Sequence, residues 1–358
     1  MSAKPIPDTP SLADSLSSES WLSDFVPRRF LRNGHLQTLA GNFLPRQWSV
    51  PRPESLLVEV EGPVGGYGPS QVLCHCHWQS PEVRKDRLTV VLLHGLEGSS
   101  SSQYVLGNTA RALAAGLNVV RMNMRSCGGT DELSPTIYHS GRSEDVAAVV
   151  AELIATRGLR KIALVGYSMG GNLVLKYAGE VAQNPPPQLK VVAGISPLMD
   201  LSPSSAALHK LQNRIYEQHF LRSMLARVRR KVALFPRLYS AVDLQKLSTM
   251  RLFDEHIVAR YGNFRDAEDY YSSVASSKYA HAFRVPTLIV RSLDDPFIVM
   301  LPETRAALLE NPHVTYVETQ HGGHCAFLSP AADDDGYWAE RTLLGFLLAH
   351  SSRPSHGR

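Results

Sequence analysis

The sequence predicts an α/β protein: a mostly parallel central sheet flanked by helices, with a helical insertion late in the chain. Three observations carry that expectation. Short runs rich in Val, Ile and Leu recur along 358 residues, and stretches of helical periodicity separate them. The alternation stops after Pro197 and resumes at Val285. A content of 44% hydrophobic and 20% charged residues is that of an ordinary soluble globular chain.

In order along the chain, residues 1–20 are polar and rich in Ser and Pro, and read as a loose arm. A single domain is expected over 21–350, followed by a short tail at 351–358. Leu88–Leu93 (LTVVLL) is the clearest buried strand, an apolar run too short for a helix. Val119–Met122, Ile162–Val165, Val191–Ile195, Thr287–Arg291 and Val314–Val317 follow as strands. In SEDVAAVVAELI, Val146, Val149, Val150 and Leu153 fall on one helical face, and Ser143 is the expected N-cap. Residues 200–280 lack strand-like runs and read as a helical lid. Eight Lys and Arg residues lie between Lys210 and Arg237, against one acid, Glu217. A solvated helix face explains that charge. The sharper reading leaves open peripheral contact between the basic lid and an anionic membrane.

A net charge of +4 is small for this length and does not suggest a nucleic-acid partner. Four scattered cysteines make no disulfide framework and suit a reducing compartment. No signal peptide and no spanning helix is evident, so a cytoplasmic location is expected.

The chemistry centres on VGYSMGGN, residues 165–172. Gly-x-Ser-x-Gly between a strand and a helix describes a nucleophile elbow, in which glycines permit a tight turn that presents the serine hydroxyl. A serine hydroxyl is inert at neutral pH unless a base takes its proton, and the base needs an orienting carboxylate. In this chain order the acid follows a late strand and the histidine follows the last. Asp294 and Asp295 follow Thr287–Arg291; Asp295 is preferred, because Pro296 turns the chain just after it. His321 and His324 follow the last strand; His324 is preferred, because Gly322 and Gly323 let its loop approach the elbow. The backbone N–H groups of Met169, after the serine, and Leu96, after the first strand, are the expected oxyanion donors. His94 reads as a buried brace for that loop.

Together these pieces resemble the YheT-like α/β-hydrolases of bacteria, relatives of the eukaryotic abhydrolase-domain lipases and phospholipases. The resemblance rests on NGHLQT (33–38), HGLEGSSSSQY (94–104), NMRSCGGT (123–130), YHSG (138–141), VGYSMGGN, LDDPF (293–297) and HGGHCAF (321–327). It implies the α/β-hydrolase fold with a helical lid and a Ser168–Asp295–His324 triad. It also implies carboxylesterase or acylglycerol-lipase-type activity. The membrane anchor of some eukaryotic members does not carry over to this chain. CHCHW (74–78) departs from the family, where acidic residues are expected at two of these positions.

Other residues invite misreading. In a strand, Cys74 and Cys76 face opposite to His75 and His77, so CHCHW alone cannot converge on a metal ion. Cys127 and Cys325 read as small buried side chains. His35 reads as a brace near the active-site region. Trp21, Phe25, Phe30 and Leu31 either line an acyl pocket or pack the N-terminal segment, and packing is preferred. The expectation is a serine hydrolase of carboxylic esters or lipids, needing no cofactor, no metal and no obligate protein partner. A thioesterase, a phospholipase and a non-catalytic binding module are the rival readings.

Overall fold

The computed structural model describes residues 21–331 and 335–351. The expected N-terminal arm (1–20) and all of the tail but Ser351 lie outside the described residues. Eight strands form one sheet: β1 (Glu54–Glu61), β2 (Ser70–His77), β3 (Thr89–Leu93), β4 (Asn118–Met122), β5 (Ile162–Tyr167), β6 (Leu189–Ile195), β7 (Thr287–Ser292) and β8 (Val314–Thr319). Their spatial order is β1-β2-β4-β3-β5-β6-β7-β8. The β1–β2 and β2–β4 pairs are antiparallel, and every later pair is parallel.

Helices cover both faces, which is why β3 is buried at every position and apolar from Val90 to Leu93. Val91 and Leu93 join the core beneath α3 (Ser143–Arg157) and α4 (Met169–Glu180). Val90 and Leu92 join the core beneath α2 (Gln103–Ala114) and α11 (Trp338–Ser351). Successive side chains of a strand point to opposite faces, so both sets are buried. A further helix, α1 (Gly34–Phe43), precedes the sheet, and α10 (Pro302–Glu310) joins β7 to β8.

Between β6 and β7 the chain makes no strand. It runs through α5 (Leu201–Leu208), α6 (Arg214–Leu234), α7 (Met250–Phe253), a π-helical stretch at Asp254–Ala259, α8 (Arg260–Gly262) and α9 (Ala267–Val274). The basic run within it divides. Arg227 and Lys231 turn inward: Arg227 pairs with Glu97 and Asp131, and Lys231 donates to the carbonyls of Asp131 and Ser134. Lys210, Arg214, Arg222 and Arg229 remain exposed, beside Leu211 (83% exposed) and Ile215 (67%).

Two expectations need correction. Ser143 does not cap α3; it is the first helical residue, and its hydroxyl donates to Glu180 across to α4. An inter-helix hydrogen bond has displaced a local one. Cys127 is buried, whereas Cys325 is only half-buried and faces His324.

Candidate active site

Ser168 stands between the end of β5 and the start of α4, with φ 54° and ψ −117°. Positive φ is strained for a residue with a Cβ, and here the surroundings enforce it. The Ser168 N–H donates to Ile195 O at 3.0 Å, and the Leu198 N–H donates to Ser168 O at 3.1 Å. The flanking glycines are steric requirements. A Cβ on Gly166 would overlap the backbone at Gly170, and one on Gly170 would overlap the His94 carbonyl.

The loop after β3 packs against this turn. His94 is fully buried. Its Nε2 accepts from the Met124 N–H at 3.1 Å, so its Nδ1–H donates to Gly95 O at 2.8 Å. Burial pushes its pKa down to about 4, and it serves as the neutral brace expected of it. Tyr104 OH accepts from the Gly95 N–H, and Tyr138 OH accepts from the Glu97 N–H. Between them, the Leu96 N–H has no acceptor among the described residues, and neither has the Met169 N–H.

The two aspartates take different partners. Asp295 Oδ2 accepts from His324 Nδ1–H at 2.8 Å, while its Oδ1 accepts from the N–H groups of Phe297 and Ile298. Asp294 accepts from the Gly323 N–H at 2.9 Å and faces His321 at 3.4 Å, bracing the histidine loop from outside. Burial lowers the His324 pKa; Cys325 and Asp295 outweigh it, and the net shift is upward.

With Nδ1 engaged by Asp295, His324 Nε2 meets Cys325 Sγ at 3.6 Å. Cys325 Sγ and the Ser168 N–H both approach the Ile195 carbonyl, so the histidine loop and the elbow meet at the end of β6. Among the described residues, Ser168 Oγ makes no hydrogen bond in this conformation.

Helix α1 is the part of the site that the sequence reading left vague. Asn33 caps it by accepting from the N–H groups of His35 and Leu36. Thr38 Oγ1 donates to Gly34 O and accepts from the His324 N–H at 2.8 Å. Gln37, fully buried, donates to Leu31 O and Leu328 O and accepts from the Leu328 N–H. His35 stacks on Tyr216 of α6 and meets its hydroxyl at 3.2 Å. NGHLQT therefore ties the histidine loop to the helical segment. The signal was the Gly-x-x-x-Thr spacing, one helical turn, which sets a small residue and a hydroxyl on one face.

Ser168, Leu96 and Met169 line one cavity with Leu198, Phe220 and Phe297. Its empty space, opening included, is about 760 Å³, and its walls are mostly apolar. Trp21, Phe25, Phe30 and Leu31 do not line it. Trp21 packs edge-on against Phe346, and Phe25 packs against Phe327 and Trp338. Phe30 is 80% exposed, and Leu31 packs against the cluster that holds Leu328 and Tyr337. In β2, His75 meets Ser100 Oγ and His77 Nε2 accepts from Arg121, while Cys74 and Cys76 enter the core.

Comparison with known proteins places this geometry. The alpha/beta hydrolase fold model matches residues 89–331. YheT of Escherichia coli (strain K12), described as a candidate esterase, is 30% identical over 335 residues, covering 92% of this chain and 94% of YheT. Phospholipase ABHD3 of Bos taurus is 27% identical over 74% of this chain, which spans 64% of that protein. Monoacylglycerol lipase ABHD2 of Homo sapiens is 27% identical over 68% of this chain, which spans 60% of it. Among solved structures, an esterase of Pyrococcus furiosus superposes with a TM-score of 0.51 at 16% identity, covering 86% of this chain and 99% of that one. That likeness speaks to fold alone. The chain belongs to the α/β-hydrolase fold family and, within it, to the YheT-like group with its abhydrolase-domain lipase relatives.

Proposed function

We propose that the protein is a serine hydrolase of carboxylic esters, of carboxylesterase or acylglycerol-lipase type. One observation carries the reading: Asp295 holds His324 through Nδ1, on a loop whose Cys325 shares the Ile195 carbonyl with the strained elbow serine, and Ser168 lines a cavity with Leu96 and Met169, whose backbone N–H groups have no acceptor among the described residues. On this reading His324 Nε2 takes the Ser168 proton as Oγ attacks the ester carbonyl. The Leu96 and Met169 N–H groups receive the oxyanion. His324 returns the proton to the departing alcohol, and water then cleaves the acyl-enzyme by the same route. Asp295 fixes the imidazole tautomer and stabilises its charged form. For this, Nε2 exchanges Cys325 Sγ for Ser168 Oγ; catalytic hydrogen bonds are often long without substrate and tighten when it binds.

The apolar cavity suits an acyl chain, and the helical segment over it serves as the lid. Exposed Leu211 and Ile215 among Lys210, Arg214 and Arg222 suit peripheral contact with an anionic bilayer. No helix among the described residues is long and apolar enough to cross a membrane. All four cysteines are free, which suits a cytoplasmic setting. A fluorophosphonate probe tests the reading. Wild type labels and hydrolyses p-nitrophenyl esters, whereas folded Ser168→Ala does neither. Unlabelled, folded wild type would favour a binding module instead, and preference for acyl-CoA over oxygen esters would favour a thioesterase.

A further inference from the structure

The cavity has a polar wall that the ester chemistry does not use. Asp254 opens the π-helical stretch, and the only hydrogen bond to its carboxyl group among the described residues comes from Tyr271 OH, at 2.6 Å to Oδ2. Ser205 Oγ meets the same phenol at 2.9 Å, and since the phenol proton is committed to Asp254, the serine is the donor. The carboxylate thus keeps one oxygen without a hydrogen bond, and no cation among the described residues forms an ion pair with it, Arg251 acting only from a distance. Ser140, fully buried, donates its N–H to Tyr270 OH at 3.0 Å, while its hydroxyl, beside the same phenol, makes no well-formed hydrogen bond among the described residues. Asp254, Tyr271, Ser205 and Ser140 all line the cavity that holds Ser168.

Each of these groups is costly where it stands. A carboxylate in an apolar wall loses hydration, and here burial pushes the Asp254 pKa up to about 7. An orphaned buried hydroxyl forgoes a hydrogen bond it would make in water. A π-helical turn is rare, occurs often at functional sites, and here is where the chain places the carboxyl. A ligand hydroxyl in the cavity would supply the donor that the second Asp254 oxygen lacks. Leu201, Val258 and Met250 give the cavity apolar walls, and Tyr138, His139, Ser204 and Tyr270 complete its polar lining.

We propose that Asp254, supported by Tyr271, forms a hydroxyl-recognition subsite that selects esters carrying a free hydroxyl in reach of the lid. The inference deepens the ester-hydrolase reading and rests on it for the identity of the substrate. The hydroxyl belongs either to a polyol alcohol portion or to the far end of the acyl chain, and both present the same donor and acceptor.

The test reads binding, so it does not depend on catalysis. Three ethers of equal chain length, inert to hydrolysis, are titrated calorimetrically into the full-length protein: an alkyl methyl ether, a 1-O-alkylglycerol and an ω-hydroxyalkyl methyl ether. One hydroxylated ether is expected to bind about tenfold more tightly than the plain ether, the worth of a hydrogen bond to a charged group. Which one does so identifies the source of the hydroxyl. Asp254→Asn is expected to remove most of that margin. Tyr271→Phe, which keeps the ring, is expected to reduce it and serves if the first variant does not fold. Equal affinities for all three ethers in wild type would overturn the subsite, as would an undiminished margin in the folded variants. Preference for an alkyltrimethylammonium of the same chain would overturn it too. Loss of fluorophosphonate labelling with the margin intact would sink the catalytic reading and leave this one standing.

Discussion

Thr38→Val tests whether helix α1 positions His324, the base of the proposed mechanism. The two side chains are nearly isosteric, so packing survives and only the hydroxyl is lost. In the native structure that hydroxyl donates to Gly34 O at 2.7 Å and accepts from the His324 N–H at 2.8 Å. Valine leaves the His324 N–H without its acceptor, in a half-buried loop. An unsatisfied buried donor costs about 1–3 kcal/mol, and partial access of water favours the lower half of that range. The loop relaxes to recover a partner, and its relaxation moves the imidazole. If about 1–2 kcal/mol of this appears in the transition state, kcat/KM falls roughly 5- to 30-fold. The assay is hydrolysis of a short p-nitrophenyl ester, with Tm measured in parallel. Thr38→Ser restores the hydroxyl and is expected to restore most of the rate. A Thr38→Val enzyme with kcat/KM within twofold of wild type would refute the positioning role, and so would failure of the serine variant to rescue.

Four other outcomes follow from the geometry. Asp295→Asn removes a charge that raises the His324 pKa, so the acid limb of the pH–rate profile moves to lower pH while the plateau falls on the order of a thousandfold; a limb moved to higher pH contradicts it. The same raised pKa means that the stability contributed by the Asp295–His324 pair is fully present below the unfolded value of 6.5 and is lost as pH climbs through the folded one. Arg227→Met strips Glu97 and Asp131 of a buried partner, although Tyr138 and Arg230 still reach them; urea unfolding is expected to show a loss of about 2–4 kcal/mol, and a change under 0.5 would contradict the clamp. Asp254→Asn is expected to stabilise the ligand-free protein at pH 8 by at least about 1 kcal/mol, or roughly 2–4 °C in Tm. The sign comes from an acid whose folded pKa, about 7, exceeds its unfolded 3.8: its ionisation penalty is absent below the lower value and complete above the higher. A variant no more stable at pH 8 than wild type would contradict the strained carboxyl.

What the sequence discloses about this site depends on how local each constraint is. The elbow is legible because Gly166 and Gly170 answer steric demands within a few residues of Ser168. The strands are legible because burial on both faces writes uninterrupted apolar runs. Asp294 and Asp295 are harder to separate, since both are acidic, both follow β7 and both touch the histidine loop; only the partners decide, Gly323 N–H for one and the imidazole for the other. The inward turn of Arg227 and Lys231 is invisible in a run of basic residues, because their partners sit about a hundred positions earlier, at Glu97 and at 131–134.

Asp254 lies at the far end of that scale. Nothing in RLFDEHIVAR distinguishes its aspartate from a solvated one. The π-helical turn that carries it, Tyr271 beside it and the cavity in front of it are products of tertiary packing. A fold keeps a partly satisfied carboxyl in an apolar wall at the expense of stability when the site has a use for it. The two consequences derived for Asp254→Asn, greater stability without ligand and weaker selection among ligands, therefore have to appear together. A variant that gained stability yet kept its hydroxyl preference would separate the strain from the function. The carboxyl would then be a flaw of packing, and the chemistry of the cavity would end at Ser168.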